Sequence, residues 1–320
     1  MNNTAIKIIL LLLIISVIFI ISWDFVMKRP DRRTGNPWEY RVDEYKKVSD
    51  ASLIGYDEVL NIRLDSAAFH GIDFDKGNIY LIGSDFLQVI SPDGIEIFHR
   101  EFPTTPRAFT VDSDRVFIVF SNHIAHFNGN GMQVSSWKMK DENNLITAIA
   151  AYGNNLFLAD AANRRILRYT TSGEYLGMFE GKSEAGQVHG FIVPGGCFDL
   201  KVSIDGELWV VNPGKHALEL YSNEGKLLRF WEKPSFTEEG FSGCCNPVHI
   251  AILPDGSFVT SEKGIVRIKI HKPYGDFQCY VAPPEQFKDA VYAPDLAVGN
   301  NGMIYALDFN TNVIRVYSPL

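Results

Sequence analysis

The 320-residue chain is 46% hydrophobic, 12% aromatic and 21% charged, so it is long and apolar enough to build a large globular core. Its formal net charge of −8 argues against a surface that binds phosphate groups, and therefore against a nucleic-acid partner. The sequence also lacks the GxSxG, Walker, HExxH, EF-hand and CxxCH motifs, which leaves out the enzyme classes that depend on them.

The N-terminus carries an apolar run from Ile8 to Ile21 that only Ser16 interrupts. No small residues that suit signal-peptide cleavage follow it, so we predict an uncleaved membrane anchor over residues 1–27 and a linker over residues 28–54. The basic residues after the run favour a cytoplasmic domain, whereas a short tail before a single apolar segment is typical of an export signal. We expect a single-pass membrane protein whose main domain is extracytoplasmic, in the periplasm.

Beyond residue 60 the chain shows short alternating strands separated by Gly, Asn and Asp, without helical periodicity, which predicts an all-β body. A four-stranded unit recurs over residues 71–98, 108–137, 146–181, 199–231 and 250–281. A sixth unit, 295–320, has three strands, and the lone strand 55–64 supplies the fourth. The sequence therefore predicts a six-bladed β-propeller over residues 55–320. Its N-terminal strand closes the last blade, and a transmembrane helix precedes it.

The repeating units resemble NHL repeats. The stretch "GIDFDKGNIYLIG" in the first blade and "LFLADAANRRILRY" in the third carry the resemblance, and "IYALDFNTNVIRVY" in the last blade is a weaker match. The stretch around "GCCNPVHIAILPDG" is similar to uncharacterised bacterial NHL-repeat proteins. The resemblance implies the propeller fold. It does not imply one function, because NHL propellers include scaffolds, peptide or RNA binders and a few enzymes, and the negative charge disfavours the RNA binders.

Six polar residues open the innermost strands of the predicted blades, although those strands are otherwise largely apolar. They are His70, Arg107, Thr147, Asp199, His249 and Asp295, called the entry ring below. We expect the entry ring to surround the mouth of the central channel, where it binds a ligand or hydrates the channel and caps strand ends.

Two imidazoles and two carboxylates in the entry ring also suit a divalent metal such as zinc or calcium, with His70, His249 and Asp199 as candidate ligands. One NHL family, the peptide-amidating lyases, holds metal near its channel with histidines that open the blades. The present sequence supplies two such histidines where a histidine-only zinc site needs three, and His189 is a further candidate from a loop.

Three long connections interrupt the regular spacing of the blades, at residues 180–198, 232–247 and 282–294. Each joins an outer strand to the next inner strand, so all three should decorate the face that carries the entry ring. Long loops on a rigid scaffold are where binding residues concentrate. The sequence therefore predicts binding at this face.

Cys197, Cys244 and Cys245 each lie just before an inner strand, whereas Cys279 lies in an outer strand. Four interpretations stay open: a disulfide from Cys197 to one of the adjacent pair, a vicinal Cys244–Cys245 disulfide, a metal site with His249, and unpaired thiols. The neighbouring Glu262 and Lys263 are predicted as a solvated turn pair.

These observations predict a membrane-anchored propeller that binds a small molecule or a protein, or acts as a scaffold, through its elaborated face. The alternative is an enzyme. It would be either a metal-dependent lyase or hydrolase at the channel mouth, or a redox protein that uses Cys244 and Cys245.

Overall fold

In the computed structural model, the described residues are 12–23, 45–48, 50–65, 69–182, 190–299 and 301–320. The chain divides into two compact units, residues 1–42 and residues 43–320.

Within the first unit, residues 12–23 form an α-helix. A helix of this length spans about 18 Å, whereas the hydrocarbon core of a bilayer is about 30 Å thick. Among the described residues, no helix has both the length and the apolar character needed to cross a membrane. The prediction of a transmembrane, single-pass anchor is therefore wrong, and the extracytoplasmic placement inferred from that anchor loses its basis. The remainder of the predicted anchor and the start of the linker, residues 1–11 and 24–44, lie outside the described residues.

The second unit is a six-bladed β-propeller, as predicted, and each blade is a four-stranded antiparallel sheet. Blade 1 comprises β2 (Phe69–Asp75), β3 (Asn78–Gly83), β4 (Phe86–Ile90) and β5 (Glu96–Glu101). Blade 2 comprises β6 (Ala108–Asp112), β7 (Arg115–Val119), β8 (His123–Asn128) and β9 (Gln133–Lys138). Blade 3 comprises β10 (Ile146–Tyr152), β11 (Asn155–Asp160), β12 (Arg165–Thr170) and β13 (Tyr175–Phe179).

The remaining blades follow the same plan. Blade 4 comprises β14 (Leu200–Val202), β15 (Leu208–Asn212), β16 (Ala217–Tyr221) and β17 (Leu227–Glu232). Blade 5 comprises β18 (His249–Ile252), β19 (Phe258–Glu262), β20 (Arg267–His271) and β21 (Phe277–Ala282). Blade 6 comprises β22 (Asp295–Val298), β23 (Ile304–Asp308), β24 (Val313–Pro319) and the N-terminal strand β1 (Tyr56–Arg63).

The ring closes where the two ends of the propeller meet in blade 6. Strand β1 pairs antiparallel with β24, from Tyr56 opposite Pro319 to Arg63 opposite Val313. The three-stranded sixth unit is thereby completed, as the sequence predicted. Without β1, the hydrogen-bonding groups of β24 would lie at an open sheet edge.

Burial follows the position of a strand within its blade. The middle strands β15, β16, β19 and β20 are buried at every position, because a neighbouring blade covers each of their faces. The outer strand β17 instead alternates between exposed and partly or fully buried residues. One core cluster combines Val259 and Ile268 of blade 5 with Leu296 and Ala306 of blade 6, so the apolar core lies between adjacent blades.

The six innermost strands contact one another in a closed circle around the channel. Because successive strands of a blade are antiparallel, the connections from outer to next inner strand all lie at one end of the propeller. The same end carries the turns between second and third strands. The entry ring and the three long connections therefore share one face.

Candidate functional site

A cavity of about 880 Å³ opens at this face, and we call it the mouth cavity. Its floor includes five members of the entry ring, namely His70, Arg107, Thr147, Asp199 and His249. Its walls come from the long connections, through Cys197 on one side and Tyr292 on another, and from Lys263 in the turn after β19. A smaller space of about 60 Å³ within the channel is lined by all six members of the ring, including Asp295.

The entry-ring residues of blades 1 to 3 each bond to the backbone that leads into the next blade. Nε2 of His70 lies 3.0 Å from the carbonyl oxygen of Pro106. Arg107 donates from Nη1 to the carbonyl of Asn144 at 3.0 Å, and the Thr147 hydroxyl donates to the carbonyl of Phe198 at 2.6 Å. These contacts fasten each inner strand to its neighbour.

In blades 4 to 6, the contacts between an entry-ring residue and the next blade involve the carboxylates of Asp199 and Asp295. Asp199 Oδ2 accepts from the backbone N–H of Ile250 at 2.9 Å, and Asp295 Oδ2 accepts from that of Ile72 at 3.0 Å. Nδ1 of His249 lies 3.4 Å from Asp295 Oδ1 and 3.9 Å from Asp199 Oδ2. Every member of the ring thus contacts the next blade. The ring stabilises the closure of the propeller, and its binding of a ligand stays a prediction.

Lys201, which the sequence did not single out, places a positive charge inside the channel. Burial opposes its charged form, but Asp73, Asp199 and Asp295 outweigh burial and hold the pKa of Lys201 above its ordinary value. Burial raises the pKa of Asp199 despite Lys201 and His249 nearby. The sequence feature that could have identified Lys201 is a lysine at an inner-strand position where the other five blades have an apolar residue.

Metal binding by the candidate ligands His70, His249 and Asp199 stays a prediction. Within the part of the chain that the structure describes, no group of three or more His, Cys, Asp or Glu side chains has a geometry that would hold a metal ion. His70, His249 and Asp199 share the channel mouth, but they bond to neighbouring blades as described above. His189, the further candidate, lies outside the described residues.

Three cysteines and a lysine form a cluster beside the mouth cavity, which Cys197 and Lys263 line. Cys244 Sγ lies 3.0 Å from Cys245 Sγ, and Lys263 Nζ lies 3.5 Å from Cys197 Sγ. All of these cysteines are free thiols in the structure, as is Cys279 in β21. Disulfide pairing among the three stays a prediction. Burial, followed by the hydrogen bond with Cys244, raises the pKa of Cys245 to about 11.

The connection 232–247, which carries the cysteine pair, is held by a fully buried ionic cluster. Glu262 Oε1 lies 2.7 Å from Arg267 Nε and 2.8 Å from Lys269 Nζ, and none of the three side chains is more than 1% exposed. Arg267 Nη2 donates to the carbonyls of Thr237 and Gly240 in the connection, at 3.1 and 3.0 Å. The prediction that Glu262 is part of a solvated turn pair is wrong, because the connection folds back and covers it.

The same device recurs in four blades. A polar residue that ends the second strand holds the connection that enters the blade, and these residues are Asp160, Asn212, Glu262 and Asp308. Asn212 Oδ1, for example, accepts from the backbone N–H of Ile192 at 2.9 Å. In blade 6 the contact with the connection is indirect, because Asp308 bonds to Asn310 and Asn310 bonds to the connection. Asn310 Oδ1 accepts from the N–H groups of Val291 and Tyr292, at 2.9 and 3.1 Å.

Apolar side chains are exposed at these fixed points. Val291 is 65% and Tyr292 64% exposed, and Leu145 and Ile192 exceed 40%. Their backbones are bonded to the blades, so the side chains are presented to solvent from a fixed position. Leu145, Val291 and Tyr292 line the mouth cavity directly. A rigid apolar rim above a polar floor is the arrangement of a site that binds an amphipathic ligand.

No family model matches the sequence, and no curated protein matches it. Solved structures do share the fold. A streptogramin B lyase is similar with a TM-score of 0.57 and 13% identity, covering 85% of this chain and all of that one. A catalytically inactive virginiamycin B lyase variant from Staphylococcus aureus, solved with quinupristin, has a TM-score of 0.58 and 16% identity over 82% of this chain and 99% of its own. The WD40 propeller of Doa1 has a TM-score of 0.55 and 15% identity over 78% of each chain. At these identities the likeness shows the propeller fold alone.

Proposed function

We propose that the chain is an NHL-type binding propeller whose mouth cavity takes an amphipathic ligand, a small molecule or a protein segment, that carries an acidic group. The observation that carries this proposal is the exposed but backbone-fixed apolar rim of Leu145, Val291 and Tyr292 around an 880 Å³ cavity. Monomeric proteins rarely expose a rimmed apolar cluster of this kind without a ligand or partner for it.

Two cations favour the acidic group. Arg107 and Lys263 both line the mouth cavity. Among the described residues, neither has a carboxylate partner, since Arg107 bonds to Asn144 and Lys263 to Cys197. A guanidinium and an ammonium in a partly enclosed cavity suit a carboxylate or a sulfonate. This local charge is opposite to the net charge of the chain.

The binding class is favoured over the metal-dependent alternative because the described residues lack a donor cluster. Propellers commonly serve as binding or scaffolding modules, and one of the similar structures is a WD40 domain. Two others are lyases, one of which was solved with quinupristin.

The test uses two fluorescent probes on the full chain: anilinonaphthalene sulfonate, which is anionic, and N-phenylnaphthylamine, which is its neutral analogue. We expect saturable binding of both probes, with the anionic one preferred. Tyr292→Ser should weaken both by about fivefold to thirtyfold, which corresponds to about 1–2 kcal/mol of lost apolar contact. Arg107→Gln should weaken only the anionic probe.

Matched controls lie elsewhere on the propeller. Tyr274 is 70% exposed in the turn between β20 and β21, at the opposite end, and Arg63 is exposed on β1. Tyr274→Ser and Arg63→Gln should leave both affinities unchanged. If Tyr292→Ser binds the probes as tightly as Tyr274→Ser does, the mouth cavity is not the binding site.

A further inference from the structure

The thiol cluster beside the mouth cavity combines features that binding does not use. Two of the sulfurs lie beside Gly195: a Cβ on Gly195 would lie 3.1 Å from Cys245 Sγ, and Cys197 Sγ lies 3.8 Å from the carbonyl oxygen of Gly195. The same Cβ position lies 3.4 Å from Lys263 Nζ. Cys244 Sγ adjoins Cys245 Sγ at 3.0 Å. Cys245, Cys197 and Lys263 thus each approach Gly195, and Cys244 joins the cluster through Cys245.

The three thiols differ in exposure and in charge environment. Cys197 is partly exposed and lines the cavity, with Lys263 Nζ 3.5 Å from its sulfur. Among these three thiols, Cys197 is thus the one that lines the cavity and has a positive charge beside its sulfur. Cys245 is 3% exposed, and burial raises the pKa of its thiol to about 11. Cys244 is exposed at the surface, but its sulfur faces Cys245 rather than the cavity lining.

We propose that Cys197 is a thiol–disulfide exchange site for a low-molecular-weight disulfide that enters the mouth cavity, with Cys245 as the resolving thiol. The Cys197 thiolate attacks one sulfur of the disulfide RSSR. A Cys197–SR bond forms, the RS–SR bond breaks, and RS⁻ leaves with the electron pair and takes a proton from water.

Resolution completes the exchange. Cys245 loses its proton to water and attacks the sulfur of Cys197, and the second RS⁻ leaves and is protonated. The protein is oxidised by two electrons to a Cys197–Cys245 disulfide, and RSSR is reduced to two molecules of RSH. The first step is fast and the second is slow, because the buried Cys245 is rarely a thiolate. The inference does not depend on the ligand proposed above, since a neutral disulfide suffices.

The experiment adds one molar equivalent of dithiodipyridine, a neutral disulfide, to the reduced full-length protein and follows the released thiopyridone. We expect one fast and one slow equivalent, with peptide mapping after alkylation showing Cys197 joined to Cys245. Cys279 should stay unmodified, since burial raises the pKa of its thiol to about 11. Cys197→Ser should abolish the fast phase, and Cys244→Ser is the matched control that should retain both phases.

Two further variants separate the roles of the neighbours. Lys263→Gln should slow the fast phase about tenfold, equivalent to about 1.4 kcal/mol, whereas Lys263→Arg should react near the wild-type rate. Cys245→Ser should release one equivalent and retain a stable mixed disulfide on Cys197. If Cys245→Ser impairs folding, the peptide map of the wild type still shows whether Cys197 and Cys245 are joined. A vicinal Cys244–Cys245 disulfide with Cys197 unmodified, or a fast phase that survives Cys197→Ser, would overturn the proposal.

Discussion

Replacing Glu262 by Gln tests whether the buried ionic cluster fixes the wall of the mouth cavity. Glu262 is the only anion in contact with both Arg267 and Lys269 among the described residues, and its side chain is fully buried. The isosteric change keeps the volume but leaves two buried cations without a counter-ion. Removing one partner of a buried ion pair costs about 3–5 kcal/mol.

The expected loss follows from the size of the propeller. A domain of this length changes its Tm by about 1.8 °C per kcal/mol, so Glu262→Gln should lower the Tm by about 5–9 °C. Thermal unfolding followed by the fluorescence of buried Trp209 measures this change. Limited proteolysis should in addition cut the connection 232–247 faster, because Glu262 Oε2 also accepts from the N–H of Ser242 at 3.3 Å.

Glu207→Gln is the matched control, since Glu207 and Arg229 form a half-exposed pair at 4.0 Å. Exposed pairs contribute little, so this variant should stay within about 2 °C of the wild type. The reasoning is refuted if Glu262→Gln unfolds within the same 2 °C. In that case the connection is held by its apolar contacts and backbone bonds alone.

Three further outcomes are expected. Burial lowers the pKa of Lys269 to about 8, so between that pH and its unfolded value the unfolded chain binds a proton that the folded chain has released. The stability of the wild type relative to Lys269→Met should therefore rise with pH across that window, as urea titrations at a series of pH values would show. Thr147→Val leaves the carbonyl of Phe198 without its donor and should cost about 1–3 kcal/mol in urea, whereas Thr147→Ser retains the bond. Ile62→Ala should destabilise the propeller by about 2–5 kcal/mol, because Ile62 packs into the core where β1 closes blade 6; a cost below 1 kcal/mol would mean that β1 is dispensable.

The fold was predictable because a propeller repeats its plan along the chain. Each unit has its own alternation of apolar and polar residues and its own Gly or Asn turn. Six imperfect copies of this pattern therefore identify the strands better than one copy would. The closing role of β1 followed from the missing strand of the last unit, and its pairing with β24 confirms it. The N-terminal prediction failed because it extended the apolar run into a full membrane span, whereas the described helix covers residues 12–23.

The position of the entry-ring residues at the channel mouth was predictable, but their contacts were not. A strand register places His249 at the channel mouth, yet nothing in the local sequence shows that its ring lies between Asp199 and Asp295 from other blades. Burial of Glu262 depends on how a 16-residue connection folds over blade 5, which local patterns do not encode. Lys201 was passed over because two of its three carboxylate partners, Asp73 and Asp295, come from other blades and lie far away in the sequence.

These contacts give the floor of the mouth cavity a different role from its rim and walls. Every entry-ring residue is committed to a neighbouring blade, so changing one of them to alter ligand preference would also weaken the closure of the propeller. The rim and wall residues are free of that constraint. Tyr292 is mostly exposed, and the ammonium group of Lys263 contacts the sulfur of Cys197. Beyond the preference for an acidic group, which Arg107 and Lys263 provide, selectivity for a ligand should therefore reside in the rim and wall residues, while the ring provides a rigid floor.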